Sequence, residues 1–203
     1  MKLKEILAGI EGLKVKGDLE VEITGLDKDS RKITNGSLFV AIKGFEADGH
    51  DYVEKAIEQG ATAVVLQEGV DKELVKKIPE NVTIVIAKDT RYALAICSCN
   101  FYGNPSRKLK LIGITGTKGK TTTSFMIKKV LEKAGHKVGL IGTIAIYIGD
   151  EKLEDSDRTT PESNKLQEIF AKMVDAGCDV AVMEVSSQSL KNLKLKNGGI
   201  YET

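Results

Sequence analysis

The sequence predicts an α/β protein built as a small N-terminal α/β domain followed by a parallel-sheet domain. Three observations carry this. Short β-rich runs alternate with amphipathic helical stretches, the pattern of strands crossed over by helices. The breaker cluster "YGNPS" interrupts that rhythm once, near Gly103 to Ser106, and marks the boundary between segments 1–104 and 105–203. Beyond it, "GITGTKGKTTT" (Gly113 to Thr123) sits between an apolar run and a helical one.

In the first segment "VEITGLD", "SLFVAI", "ATAVVLQ" and "VTIVIAK" are the strand candidates. "DGHDYVEKAIEQG" predicts a helix with Tyr52, Val53, Ala56 and Ile57 on one face and Gly60 as its stop. A further helix is expected over Thr90 to Phe101. In the second segment the strand "KLKLIGIT" leads through the glycine-rich loop into a helix from Lys120 to about Ala134. Its stripe is Ile127, Val130, Leu131 and Ala134, and Gly135 closes it. "KVGLIGT" is the next strand, and "YIGDEKLE" reads as a hairpin turning at Gly149-Asp150. "PESNKLQEIFAKMVDAGC" predicts a helix with Pro161 in its first turn and Leu166, Ile169, Phe170, Met173 and Val174 as its stripe. "DVAVMEVS" follows as a buried strand.

Composition bounds the function. Of 203 residues, 41% are apolar and 29% charged, as in a globular protein with a real core. A formal net charge of +1 supplies no global field for nucleic acid or an anionic membrane. Neither class of partner is expected. The N-terminal stretch has no apolar core long enough for a signal peptide or a membrane span. Cys97, Cys99 and Cys178 show neither metal-ligand nor redox spacing and are expected as buried apolar groups in a reducing cytoplasm.

Glycines at the mouth of a helix expose successive backbone N–H groups, and the helix dipole adds positive potential there. Gly116 and Gly119 let the backbone close on a cluster of oxygens. Lys120 can place its ammonium on the outer phosphates, and the Thr121 hydroxyl can ligate Mg²⁺. The full Walker pattern asks for a glycine where Ile114 stands, so the match is "GTKGKT" after a strand. Glu184, ending the strand "DVAVMEVS", could complete a Mg²⁺ shell at the carboxyl edge of the sheet, or simply face water. "DRTTPES" brings Thr159 and Thr160 to a helix N-terminus, which on its own reads as a cap.

These pieces in this order resemble the Mur ligase family, and most nearly its MurE-type branch, over about Leu26 to Leu190. The residues that carry the resemblance are "LDKDSRKITNGSLFVAIKGFEADGHDYVEKAIEQGATAVV", "YGNPSRKLKLIGITGTKGKTTT", "LIGT", "TTPES" and "MEVSSQSL". The resemblance implies a UDP-binding N-terminal domain and a P-loop-type ATPase domain that is incomplete. Leu26 or Asp27, Ser30, Phe45, Glu46 and Ala47 would lie against the UDP moiety. Gly116, Thr117, Lys118, Gly119, Lys120, Thr121 and Thr122 would hold ATP, with Lys120 as the catalytic cation and Thr121 and Glu184 serving Mg²⁺. Thr159, Thr160, Ser186, Asn192 and Lys194 would contact the UDP-N-acetylmuramoyl-L-alanyl-D-glutamate acceptor. The implied reaction is ATP-dependent amide synthesis through an acyl phosphate in peptidoglycan precursor synthesis, with diaminopimelate or lysine as the amine, by a monomer in the cytoplasm.

The family pattern is departed from at Lys118, Arg158, Gln188 and Lys194, and "KNLKLKNGGIYET" follows it poorly. The family's metal-binding histidine, carbamylated lysine and C-terminal domain find no counterpart before Thr203. The expectation is therefore a poor catalyst with unpaired sheet edges and exposed apolar surface. Other readings are a non-catalytic UDP-precursor and ATP-binding module, a MurF-like ligase, which "TTPES…EVSS" disfavours, and a folylpolyglutamate-type synthetase, which "DSRK…DGHDY" disfavours. His136 reads as a surface imidazole at a helix end, His50 as structural, and Asp48 and Asp51 as caps.

Overall fold

The computed structural model describes residues 1–44, 47–156 and 158–187. Phe45, Glu46, Gln188, Asn192 and Lys194 lie outside them. The chain divides into two compact units, Met1–Phe101 and Tyr102–Thr203.

The first unit runs α1 (Leu3–Ile6), β1 (Lys14–Lys16), β2 (Gly25–Asp27), β3 (Ser37–Val40), α2 (Val53–Glu58), β4 (Ala61–Gln67), α3 (Lys72–Lys77), β5 (Thr83–Ala87) and α4 (Thr90–Phe101). Its sheet has the order β1-β5-β4-β3-β2, parallel throughout except for β1, which pairs antiparallel with β5. Successive residues of a strand face opposite sides, and the core divides accordingly. Leu38, Val40, Ala63, Val65 and Val85 meet α1 and α4 on one face, through Leu3, Ile6, Leu94 and Cys97. Phe39, Val64, Leu66 and Ile84 meet α2 and α3 on the other. Being covered on both faces is why these strands read as continuous apolar runs.

The second unit contains β6 (Lys110–Ile114), α5 (Lys120–Lys133), β7 (Val138–Ile141), β8 (Ala145–Ile148), β9 (Glu151–Asp155), α6 (Ser163–Asp175) and β10 (Val180–Glu184). Its sheet is ordered β6-β10-β7-β8-β9. The strands β6, β10 and β7 are parallel, and β7, β8 and β9 are antiparallel. One face packs on α6 through Leu166, Ile169, Phe170 and Met173. The other packs on α5 through Phe125, Ile127 and Leu131. Among the described strands β6 is paired on one side only, and Leu111, Ile112 and Ile114 stay half-buried.

Several expectations need correction. Tyr52 does not share the inner face of α2 and is 44% exposed, because it belongs to the 3₁₀ turn (Gly49–Tyr52) that precedes that helix. On α5, Val130 is 67% exposed and Ala134 is exposed too. Ser124 and Lys128 are buried in their place, so the inner face is rotated from the predicted stripe. Pro161 precedes the cap residue Glu162 and lies outside α6. Both sheets are mixed, and α1, β1 and α3 were not foreseen. The three cysteines are buried and form no disulfide, and burial pushes the Cys97 thiol up to about 12.

The rotation of α5 is testable by urea unfolding. Val130→Ala should change stability by less than about 0.5 kcal/mol, as exposed substitutions do. Phe170→Ala, which empties a fully buried site, should cost about 3–5 kcal/mol. A loss of more than about 2 kcal/mol at Val130 would restore the stripe expected from sequence.

Candidate functional site

The strands β6, β10 and β7 run parallel, so their carboxyl ends reach one edge of the sheet. Three connections leave from that edge: the glycine-rich loop after β6, Gly142–Thr143 after β7, and Val185–Ser186 after β10. Ligands in open α/β sheets bind outside such an edge.

The loop turns into α5 at Gly119, which adopts φ 79° as the residue before the helix. A side chain would be strained there. No acidic residue occupies the first turn of α5, so nothing offsets the positive end of the helix dipole. The residues from Gly116 to Gly119 are exposed, and Lys120 Nζ donates to the Gly116 carbonyl at 2.8 Å. The ammonium thus already points back over the loop whose N–H groups it would assist.

Glu184 is the centre of the edge. Its side chain is fully buried at 0% exposure, and a buried carboxylate is tolerated only with donors around it. They are present: the Thr121 hydroxyl donates to Oε2 at 3.1 Å, the Thr143 hydroxyl to Oε2 at 3.0 Å and the Thr143 N–H to Oε1 at 3.0 Å. A Cβ on Gly142 would lie 2.7 Å from Oε1, so only glycine lets the end of β7 approach this closely. The Ser156 hydroxyl donates to the Gly142 carbonyl at 2.5 Å and holds that peptide from the other side.

The threonine pair joins the same knot. Thr160 is 3% exposed, donates its hydroxyl to the Glu184 carbonyl at 3.0 Å and accepts the Ser186 N–H at 3.1 Å. Thr159 Oγ1 lies 3.2 Å from Thr143 Oγ1. The structure therefore brings Thr121, Glu184, Thr159, Thr160 and Ser186 together as one cluster. Arg158 is turned to Glu162 at 2.9 Å. Thr143, Gly142 and Ser156 were missed as site residues. The sequence signals were a Gly-Thr step directly after a strand and its place in "LIGT", one of the stretches that carry the family resemblance.

In the first unit the Leu26 side chain is 7% exposed within the core, and Ser30 is 5% exposed in a 3₁₀ turn (Ser30–Lys32). Asp29 caps that turn and takes a two-pronged bond from Arg31, at 2.9 and 2.7 Å. These bonds hold the Asp29 carboxyl down at about 2. Ala47 is exposed beside a hairpin stem in which the Gly44 N–H donates to the Ala47 carbonyl at 2.9 Å. His50 accepts the Gln67 N–H on Nε2 at 3.0 Å and meets Asp48 through Nδ1 at 2.6 Å, a structural corner as expected. Asp48 caps the turn and Asp51 lies inside it. His136 lies partly exposed just past the end of α5, where its Nδ1 meets Asp179 at 2.5 Å.

Comparison with known proteins now bears on the family. Residues 22–102 match the model described as "Mur ligase family, catalytic domain", and residues 114–198 match "Mur ligase middle domain". The chain is similar to UDP-N-acetylmuramoyl-L-alanyl-D-glutamate--2,6-diaminopimelate ligase 1 of Clostridium acetobutylicum. They are 53% identical over 190 residues, which is 94% of this chain and 38% of that protein. It is 42% identical to the ligase of the same name, without the numeral, from Bacteroides fragilis, over 99% of this chain and 41% of that protein. Among solved structures, "Structure of UDP-N-acetylmuramoyl-L-alanyl-D-glutamate--2, 6-diaminopimelate ligase" shares the fold with a TM-score of 0.74 at 24% identity, covering 98% of this chain and 38% of that one. A MurF ligase from Thermotoga maritima, solved in complex with ADP, aligns with a TM-score of 0.53 at 22% identity, over 82% of this chain and 32% of that one. The chain thus spans about two fifths of the length of the curated relatives it matches. With both of its units matched by models of one family, and with the glycine loop and Glu184 set at one sheet edge, the chain belongs to the Mur ligase family.

Proposed function

We propose that this chain is the part of a ligase that holds ATP and the acceptor, in an enzyme joining meso-diaminopimelate to UDP-N-acetylmuramoyl-L-alanyl-D-glutamate in cytoplasmic peptidoglycan precursor synthesis. The observation that carries the reading is the 3.1 Å bond between the Thr121 hydroxyl and buried Glu184, at the mouth of a glycine loop carrying Lys120. The names of relatives at about half identity supply the substrates.

In this reading residues 105–203 hold the nucleotide. N–H groups from Gly116 to Thr122 receive the phosphates and Lys120 offsets their charge. Thr121 and Glu184 fit Mg²⁺, because both are hard oxygen donors and Thr121 keeps its oxygen lone pairs while giving its proton to the carboxylate. The metal would supply charge neutralisation on the phosphates. A carboxylate is a poor electrophile, and phosphorylation of the D-glutamyl carboxylate gives it a leaving group that an amine can displace. Thr159, Ser186 and the peptide groups around Thr160 would place that carboxylate, with Asn192 and Lys194 beyond the described residues. Residues 1–104 would hold the UDP end through Leu26, Ser30 and the loop from Phe45 to Ala47.

Two measurements on the 203-residue chain test this. In calorimetric titrations it should bind Mg-ATP and the UDP-muramoyl dipeptide. Lys120→Met should weaken nucleotide binding about 10- to 100-fold, the value of a charge-assisted bond. Preference for the UDP-muramoyl tripeptide over the dipeptide would move the chain to the MurF branch. Ligation with diaminopimelate or lysine, read by mass spectrometry, should give no tripeptide from the chain alone. Product with diaminopimelate would show that the rest of the longer relatives is dispensable, and product with lysine would overturn the assigned amine.

A further inference from the structure

The hydroxyl hydrogens around Glu184 can be placed by counting. A carboxylate only accepts, so each threonine oxygen bonded to it must spend its single hydrogen there. Thr121 and Thr143 both contact Oε2, at 3.1 and 3.0 Å, so both hydrogens point at Glu184. The Thr143 hydroxyl also reaches Thr159 Oγ1 as a donor at the longer distance of 3.2 Å, so its hydrogen is forked between Glu184 and Thr159. The Thr121 and Thr143 hydroxyls thus both donate to the same oxygen of Glu184. Thr121 keeps lone pairs, and no hydrogen, for whatever lies outside the cluster.

We propose that Thr143 is a positioning residue that orients the Glu184 carboxylate, so that Thr121 spends its hydrogen inward and presents an acceptor to a divalent cation. This rests on the reading of Thr121 and Glu184 as the metal side of an ATP site. Thr143 grips both oxygens of Glu184, through its N–H and its hydroxyl at 3.0 Å each, which fixes the plane of the carboxylate. Without the hydroxyl, Oε2 loses a donor, the carboxylate can rotate about the remaining N–H bond, and Thr121 is no longer held with its hydrogen inward. Thr143 itself lies at the surface, so its substitution leaves the core intact.

The test titrates a fluorescent ATP analogue into the 203-residue chain, once with excess Mg²⁺ and once with EDTA. Thr143→Val keeps the shape and the N–H but removes the hydroxyl, and Thr143→Ser keeps both donors. In Mg²⁺ the valine variant should bind about tenfold more weakly, the value of one hydrogen bond to a charged group. In EDTA it should match the parent within about twofold, and the serine variant should restore Mg²⁺-dependent binding. Equal affinity of the valine variant and the parent in Mg²⁺, or an equal loss with and without Mg²⁺, would overturn the proposal while leaving the ATP site standing. A parent chain that binds no nucleotide in either condition would remove the ATP reading itself, and this inference with it.

Discussion

The second unit is organised around a negative charge it cannot expose. Glu184 ends the central strand of the three parallel ones, fully buried, and an isolated ion there would be costly. Its carboxylate is instead met by Thr121 from the loop after β6 and by Thr143 from the loop after β7. Its carbonyl is met by Thr160, ahead of α6. Three segments far apart in sequence are bound to one residue. The cost of burial thereby becomes the constraint that brings the phosphate loop, the β7 edge and the threonine pair into register.

Topology explains why this residue can do it. Only a strand with parallel neighbours on both sides presents its carboxyl end between two loops at once, and β10 lies between β6 and β7. The first unit also has a central parallel region, but its carboxyl edge is closed differently. Gln67 ends β4 and donates its N–H to His50, and its side-chain oxygen accepts from the Thr90 N–H and hydroxyl at 3.1 and 3.2 Å. Its side-chain amide also donates to the Lys88 carbonyl. There the strand-end polar group is satisfied by neutral partners within the unit, with no charge left over to attract a cation. In both sheets a central strand with parallel neighbours ends on a polar side chain that draws in the flanking segments, glutamine in the first and glutamate in the second.

Much of this was legible because the signals were local. Ala61–Gln67 and Thr90–Phe101 have the expected bounds, since a buried strand and a helix ending at a Gly-Asn-Pro breaker state their limits in sequence. The Gly149-Asp150 turn was equally plain, with Gly149 at φ 59°. What was illegible depended on tertiary context. The "KVK" of β1 is exposed at every position and becomes a strand only because β5 offers it an edge. On α5, two apolar stripes were available on one helix. The sheet selected the one containing Phe125, Ile127 and Leu131, leaving Met126 and Val130 outside. Of the site, the glycine loop and the strand-end glutamate announced themselves. The role of Thr143 did not, although "LIGT" was among the stretches that carried the resemblance, because a threonine after a strand has a partner only once a buried carboxylate stands opposite it.

The phosphate loop also shows why contacts cannot simply be counted as affinity. Lys120 is not an idle cation, for its ammonium is bonded at 2.8 Å to the carbonyl of Gly116 in its own loop. Moving it onto a phosphate exchanges a neutral acceptor for an anionic one. The gain is the difference between two charge-assisted bonds, smaller than the full value of either. The helix N–H groups carry no such internal partner from an acidic first-turn side chain, so their contribution is discounted less. Thr121 is different again, since its hydrogen is spent on Glu184 and can remain there when its oxygen meets a cation. On the proposed reading of this edge as an ATP site, selectivity for a metal-bearing nucleotide would have its physical root in the buried carboxylate behind the loop, with the lysine supplying mainly attraction between charges.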